Sequence, residues 1–272
     1  MQVVFTKEEE IIRRAELGGI SGFMIDWENK DKAERQSGFD TQINNDQVDD
    51  LARVRALTNR TIICRVNNTP ELRSREIALA IGNGANEILL PMVRSIQVVE
   101  ETLKETEGFA RVALMIETKE AITLAKELGA LPVSRVYVGL NDLSIDLRKE
   151  TIFDSLEDGT IDSIRPYFDV PFGFAGLTLP ECGSPIPSRL LYSEMARLRC
   201  SFTFLRRSYL RDVRGKDSAE ELPRMYRAFT AASLLSDAAL MAHHHELNEK
   251  IRSVRSSGHA LRSEPVEGHV SR

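Results

Sequence analysis

Histidine is missing from the first 242 residues of the 272-residue chain; all five, His243, His244, His245, His259 and His269, lie beyond them. A Ser-His-Asp triad or a His-rich zinc centre in the main body is thereby excluded. Chemistry there must rest on carboxylates, Arg, Lys, Tyr or water. Cysteine is scarce: Cys64, Cys182 and Cys200 are widely spaced and odd in number. They match no metal-ligand spacing and suit a reducing, cytoplasmic setting. No apolar run approaches the roughly 20 residues of a membrane span. The opening MQVVFTKEEE becomes charged too soon for a signal peptide, so no membrane partner is expected. The net charge of −5 offers no general attraction for nucleic acid, and none is expected. No GxGxxG or GxxxxGK[ST] loop follows any apolar run, which argues against dinucleotide and P-loop folds.

A hydrophobic content of 42% supports a sizeable core. Short apolar runs at 3–5, 23–27, 61–66, 87–93, 112–116, 135–139, 172–178 and 201–205 predict eight strands. Helical spacing predicts helices over 7–17, 46–57, 71–81, 95–107, 118–128 and 188–198, and a long one over 218–252 with a possible interruption at Pro223. Residues 154–164 are expected to be partly helical, and 30–45 a loop with some helix. Eight strands alternating with helices predict an α/β fold with a parallel sheet, a (β/α)8 TIM barrel with an extended C-terminal helix. One domain is expected over 1–252. The segment 253–272, rich in Ser, Arg and Gly and without apolar period, is expected to be a disordered tail.

The stretch 115–147 organises the rest: apolar strand, Glu117, helix, apolar strand, then Asn141 and Asp142. A strand–helix–strand unit has parallel strands, so both carboxylates finish at one sheet edge. As neighbours about 5 Å apart, the strands would let Glu117 and Asp142 share one Mg2+ or Mn2+. The plain alternative is that each acid only caps the helix after it. In a barrel the C-terminal strand ends carry the chemistry, and they offer Glu28 and Asn29, Arg65, Glu117, Asp142, and Arg206 with Arg207.

RVN at 65–67, NEILLPMV at 86–93, MIET at 115–118 and GLNDLSIDL at 139–147 stand in order across the chain. With these motifs the sequence resembles the HpcH/HpaI aldolase and citrate lyase β-subunit family, the class II pyruvate aldolase-like enzymes, from about residue 3 to 205. The resemblance implies a metal-dependent barrel that makes or breaks a C–C bond beside a carbonyl. It implies metal binding by Glu117 and Asp142, and contact of Arg65 with the keto oxygen. It further implies a substrate-binding segment of Gly139, Asn141 and Asp142. The substrate would be pyruvate or a related 2-oxoacid, a small molecule that chelates the metal. The alternative for Arg65 is an ion pair that closes the barrel top. The family's aldolase branch carries His at the position of Asn29; Asn is no general base, so proton transfer falls to Glu28, a water on the metal or a substrate group. Arg65, Glu28 and Asn29 are thus the candidate catalytic residues. Alternative functions are a lyase on a coenzyme A thioester and a non-catalytic relative that binds an oxoacid or a partner protein.

Other features carry less. His243–His245 fit a solvated helix surface better than a metal cluster, because consecutive helical residues point apart. Lys30–Arg35 fits a solvated loop better than a phosphate clamp. Met225, Phe229, Ala232, Leu235 and Ala239, widened by Leu234, Leu240 and Met241, form more apolar surface than one barrel face covers. A homo-oligomer through the C-terminal helix is therefore expected. Arg65→Lys is expected to lower turnover with little change in stability.

Overall fold

A computed structural model of the chain describes residues 2–29 and 46–257. Eight strands are present: β1 Gln2–Phe5, β2 Gly22–Asp26, β3 Thr61–Arg65, β4 Glu87–Leu90, β5 Arg111–Ile116, β6 Arg135–Val138, β7 Phe172–Phe174 and β8 Thr203–Leu205. All ladders are parallel, in the order β7-β6-β5-β4-β3-β2-β1-β8. The predicted barrel is therefore present and nearly closed. Between β7 and β8, single bonds replace a ladder: the Ser201 N–H donates to Phe172 O at 2.9 Å and Thr203 Oγ1 to Phe174 O at 3.0 Å. The backbones press together here because Gly173 has no side chain; a β-carbon would overlap the Phe202 carbonyl.

Around the strands lie α1 Glu9–Leu17, α2 Val48–Leu57, α3 Arg73–Gly82, α4 Ile96–Thr106, α5 Lys119–Thr123, α6 Ala125–Gly129, α7 Leu140–Asp146, α8 Asp154–Glu157, α9 Thr160–Ile164, α10 Ser188–Arg197, α11 Arg207–Asp212, α12 Ser218–Ser233 and α13 Asp237–Ser256. The helix predicted over 118–128 is two short ones, parted at Leu124. The long C-terminal helix is also two. It does not break at Pro223, which α12 absorbs, but beyond Ser233, and Ser236 caps α13 by accepting the Ala239 N–H. α13 runs to Ser256 with Val254 buried, so ordered structure passes the predicted boundary at 252. The rest of the predicted tail, 258–272, and the segment 30–45 with Lys30–Arg35 lie outside the described residues. No helix among the described residues is long and apolar enough to cross a membrane.

Two cores result. Outward strand residues pack beneath the helices, while Val3, Phe5, Met24, Ile63, Leu89, Ala113, Met115, Tyr137, Phe202 and Phe204 fill the barrel. Strand alternation explains the division. Below this filling, at the N-terminal strand ends, Arg135 Nε donates to buried Glu87 Oε1 at 2.9 Å and its guanidinium lies over the Phe202 ring at 5.2 Å. The chemistry is left to the opposite end.

The C-terminal helices cover their own apolar stripe in part. Met225, Ala232 and Leu240 are buried within the chain, whereas Tyr226, Leu234 and Met241 stay exposed. The histidines of α13 do not form a solvated surface throughout. His243 Nδ1 lies 2.8 Å from Ser193 Oγ, and His244 Nδ1 lies 3.0 Å from the buried Glu194 carboxylate; His245 is exposed.

Candidate active site

Two residues beyond Met24, Ile63, Met115 and Tyr137, the same strands turn Asp26, Arg65, Glu117 and Gly139 inward at the barrel mouth. Strand register fixes the neighbours. Asp26 is the ladder partner of Arg65, and Met115 pairs with Tyr137, so Glu117 comes beside Gly139.

Arg65 is enclosed by acids. Its Nε and Nη2 donate to the two oxygens of Asp26 at 2.8 and 2.6 Å, and its Nη1 lies 3.1 Å from Glu28 Oε2. All three side chains are buried. Burial alone would lower the guanidinium's pKa; Asp26 and Glu28 outweigh it and hold the group well above its ordinary range. Asp26 is in turn located by its backbone N–H, which donates to Asp46 Oδ2 at 2.9 Å, while Lys7 bridges Asp46 and Asp50.

Glu117 faces this cluster from β5. Its Oε1 accepts the Met92 N–H at 2.9 Å, delivered by a backbone turn with Met92 at φ 49° that Asn68 Nδ2 braces through Pro91 O at 2.8 Å. Its Oε2 is buried and has no hydrogen-bond partner. Burial first, then the charges of Asp142 and Glu28, push the Glu117 carboxyl up to about 8, against the opposing Arg65 and Met92 N–H. Glu117 is not a helix cap: Thr118 caps α5, accepting the Ala121 N–H at 3.1 Å. Asp142 lies inside the first turn of α7, whose N-cap is Gly139, and is half-buried.

The remaining candidates divide. The Gly139 N–H donates to Ile116 O at 3.1 Å, and Asn141 O accepts Ser144 Oγ at 2.6 Å. Both stand at the β6–α7 turn, and Gly139 lies against Glu117. Asn29 is exposed; its N–H donates to Asn67 Oδ1 at 3.1 Å, and Asn67 Nδ2 also donates to Trp27 O at 2.9 Å. The bidentate role of Asp26 was missed from the sequence, although strand alternation from Met24 places it inward. Arg206 was named only as a strand end. It lies over the Phe5 ring at 4.9 Å and reaches Asp26 Oδ2 at 3.4 Å. Burial, and then Arg65 beside it, lower its pKa to about 10.

A divalent ion suits part of this arrangement. Among the described residues no three His, Cys, Asp or Glu side chains gather as a metal site. Mg2+, however, is commonly held by only one or two carboxylates, with water and substrate completing its shell. Glu117, with a buried unpartnered oxygen and Asp142 pressing on its charge, is a carboxylate that a cation would relieve.

Comparison with solved structures places the architecture. The chain is structurally similar to citrate synthase SbnG, at TM-score 0.55 and 16% identity, covering 85% of this chain and 90% of that one. It is similar also to RipC from Yersinia pestis, at TM-score 0.54 and 12% identity, covering 88% and 97%. The fold is shared with both. No family model and no curated protein sequence matches the chain. At such identities the likeness fixes the barrel, and the chemistry must be argued from the site.

Proposed function

We propose that this chain is a divalent-metal-dependent carbon–carbon lyase of the aldolase type, acting through the enolate of pyruvate or a related 2-oxoacid. The observation that carries the reading is Glu117, a buried carboxylate with one oxygen unpartnered and its pKa raised beside Asp142. Glu117 and Asp142 would hold Mg2+ or Mn2+. When bound, the ion would polarise the 2-oxo group and favour the enolate.

The chain's own residues supply the rest. Arg65 presents fixed positive charge at the mouth, where the enolate oxygen gains charge, and Asp26 sets its plane through two hydrogen bonds. Glu28, paired to Arg65 at 3.1 Å, would take a proton from C3 of the oxoacid and return it. Asn29 carries no proton in this scheme. The backbone of the Gly139–Asp142 turn lies against the substrate carboxylate, as the sequence resemblance implies. Both ends of the fold serve this purpose: the Glu87–Arg135 pair and the aromatic filling close the barrel from below, so substrate enters only at the mouth.

The test is exchange of the C3 hydrogens of pyruvate in D2O with Mn2+ present, followed by NMR. Exchange that requires metal and disappears in Glu117→Gln supports the reading. No exchange above the metal-only control would remove it and leave a binding protein.

A further inference from the structure

Three successive strands send residues to one peptide plane. β3, β4 and β5 are neighbours in the barrel, and Asn68, Met92 and Glu117 each lie shortly beyond the end of one of them. The Pro91–Met92 peptide stands between the other two residues. Its N–H, that of Met92, donates to Glu117 Oε1 at 2.9 Å, and its carbonyl, that of Pro91, accepts from Asn68 Nδ2 at 2.8 Å. In a trans peptide these two groups point in opposite directions from one rigid plane. Asn68 therefore grips the far end of the unit that Glu117 touches, and its Nδ2 also lies 3.3 Å from Met92 O. Arg73 fixes the sense of the Asn68 amide. Its Nη1, which can only donate, faces Asn68 Oδ1 at 3.4 Å, and its Nη2 donates to Glu101 Oε2 at 2.6 Å. Only ψ of Pro91 and φ of Met92 can rotate the plane. Met92 sits at φ 49°, a left-handed conformation that residues with a side chain rarely adopt. Turning the plane over would return Met92 to negative φ and aim the Pro91 carbonyl oxygen at the Glu117 carboxylate. Backbone preference alone thus favours the arrangement that deprives Glu117 of its donor. The Thr118 hydroxyl donates to Val93 O and anchors the turn one residue further on, so the plane is the part left to rotate.

We propose that Asn68 is a positioning residue that holds the Pro91–Met92 peptide with its N–H on Glu117, so that Glu117 presents its free oxygen to the metal. The inference rests on the metal reading above and adds the residue that makes this carboxylate a fixed ligand. With Oε1 held by the Met92 N–H, Oε2 is the oxygen left buried and unpartnered. Hydrogen bonds behind a ligating carboxylate set its orientation and so its affinity for the ion. Asn68 acts one step further back, on the peptide that supplies that bond.

The experiment titrates Mn2+ into the full-length chain by calorimetry, with melting temperatures measured alongside. Asn68→Ala removes the grip on the Pro91 carbonyl and should weaken Mn2+ binding about tenfold, the effect of one lost hydrogen bond to a charged group. Met92→Gly alone should leave the affinity near its unaltered value, because glycine adopts a positive φ without strain. Adding Met92→Gly to Asn68→Ala should therefore restore most of the lost affinity, although neither change creates a contact with the metal. The melting temperature should not recover with it, since glycine at 92 adds freedom to the unfolded chain. Asn68→Asp, close to asparagine in shape but without the donor, should behave as Asn68→Ala. With and without Met92→Gly it carries the same comparison if the alanine variant does not fold. Unchanged Mn2+ affinity in the Asn68 variants, or a weakening that Met92→Gly does not reverse, overturns the positioning role and leaves the metal reading standing. Absence of Mn2+ binding to the unaltered chain overturns both.

Discussion

A β-carbon on residue 139 would overlap Oε2 of Glu117 and stand 2.9 Å from Met115 Cε. The backbone of β6 therefore runs directly against the carboxylate that β5 presents. Gly139 has an ordinary φ of −84°, so its lack of a side chain matters for space and not for backbone freedom.

Gly139→Ala should displace the Glu117 carboxylate, which the Met92 N–H holds from the other side. Overpacking at a buried site costs about 1–3 kcal/mol. A lowered melting temperature together with at least tenfold weaker Mn2+ binding is expected. Unchanged Mn2+ affinity in a folded variant would separate Gly139 from the site.

Metal binding should depend on both acids. Calorimetry is expected to detect Mn2+ binding to the unaltered chain and to lose it in Glu117→Ala and in Asp142→Ala, each remaining folded. Since the Glu117 carboxyl is pushed up to about 8, binding at pH 7 should also release close to one proton. Repeating the titration in buffers of different ionisation enthalpy measures that release directly.

The same group makes metal-free stability depend on pH. Its folded value lies above the ordinary carboxylate value of 4.5, so the folded state holds the extra proton. The contribution is fully present below about 4.5 and is lost as pH rises through about 8. Melting temperatures without metal should fall over that window, and Glu117→Gln should flatten the fall. Identical slopes for the two proteins would contradict the assignment.

Arg65→Lys was expected from the sequence to spare stability. The enclosure of Arg65 by Asp26 and Glu28 reverses that expectation. Lysine cannot span both oxygens of Asp26, and disrupting a buried pair costs about 3–5 kcal/mol. A melting temperature lowered by several degrees is expected, along with the loss of C3 exchange. Full stability with lost exchange would restore the earlier expectation.

For assembly, Tyr226, Leu234 and Met241 supply the exposed apolar surface along α12 and α13. Light scattering on the full-length chain should give a dimer or larger species. Leu234→Glu with Met241→Glu should shift it toward monomer, and a monomer at all micromolar concentrations for the unaltered chain would refute the contact.

The barrel was legible because each strand carries its own apolar run, and the runs of β2, β3, β5, β6 and β8 end in polar residues. Glu117 and Asp142 were legible for the same reason, as chain order alone sends parallel strands to one edge. Asp26 was harder: the run FMIDW obscures which residues face inward, and only alternation from Met24 separates Asp26 from Trp27. The break between α12 and α13 left a signal in Ser236 and Asp237, a capping pair that apolar spacing on either side obscures. What no local pattern gives is the claim of both Asp26 and Glu28 on Arg65, or the approach of Gly139 to Glu117. These depend on register between strands far apart in sequence.

The single hydrogen bonds that join β7 to β8 have a kinetic meaning. Amide exchange with solvent begins where few backbone bonds must break together. Among the described residues the β7–β8 join has no ladder, with bonds from the Ser201 N–H and the Thr203 hydroxyl, where other neighbours have ladders. The cylinder should breathe first at this join, so that deuterium enters β7 and β8 before β2 to β5.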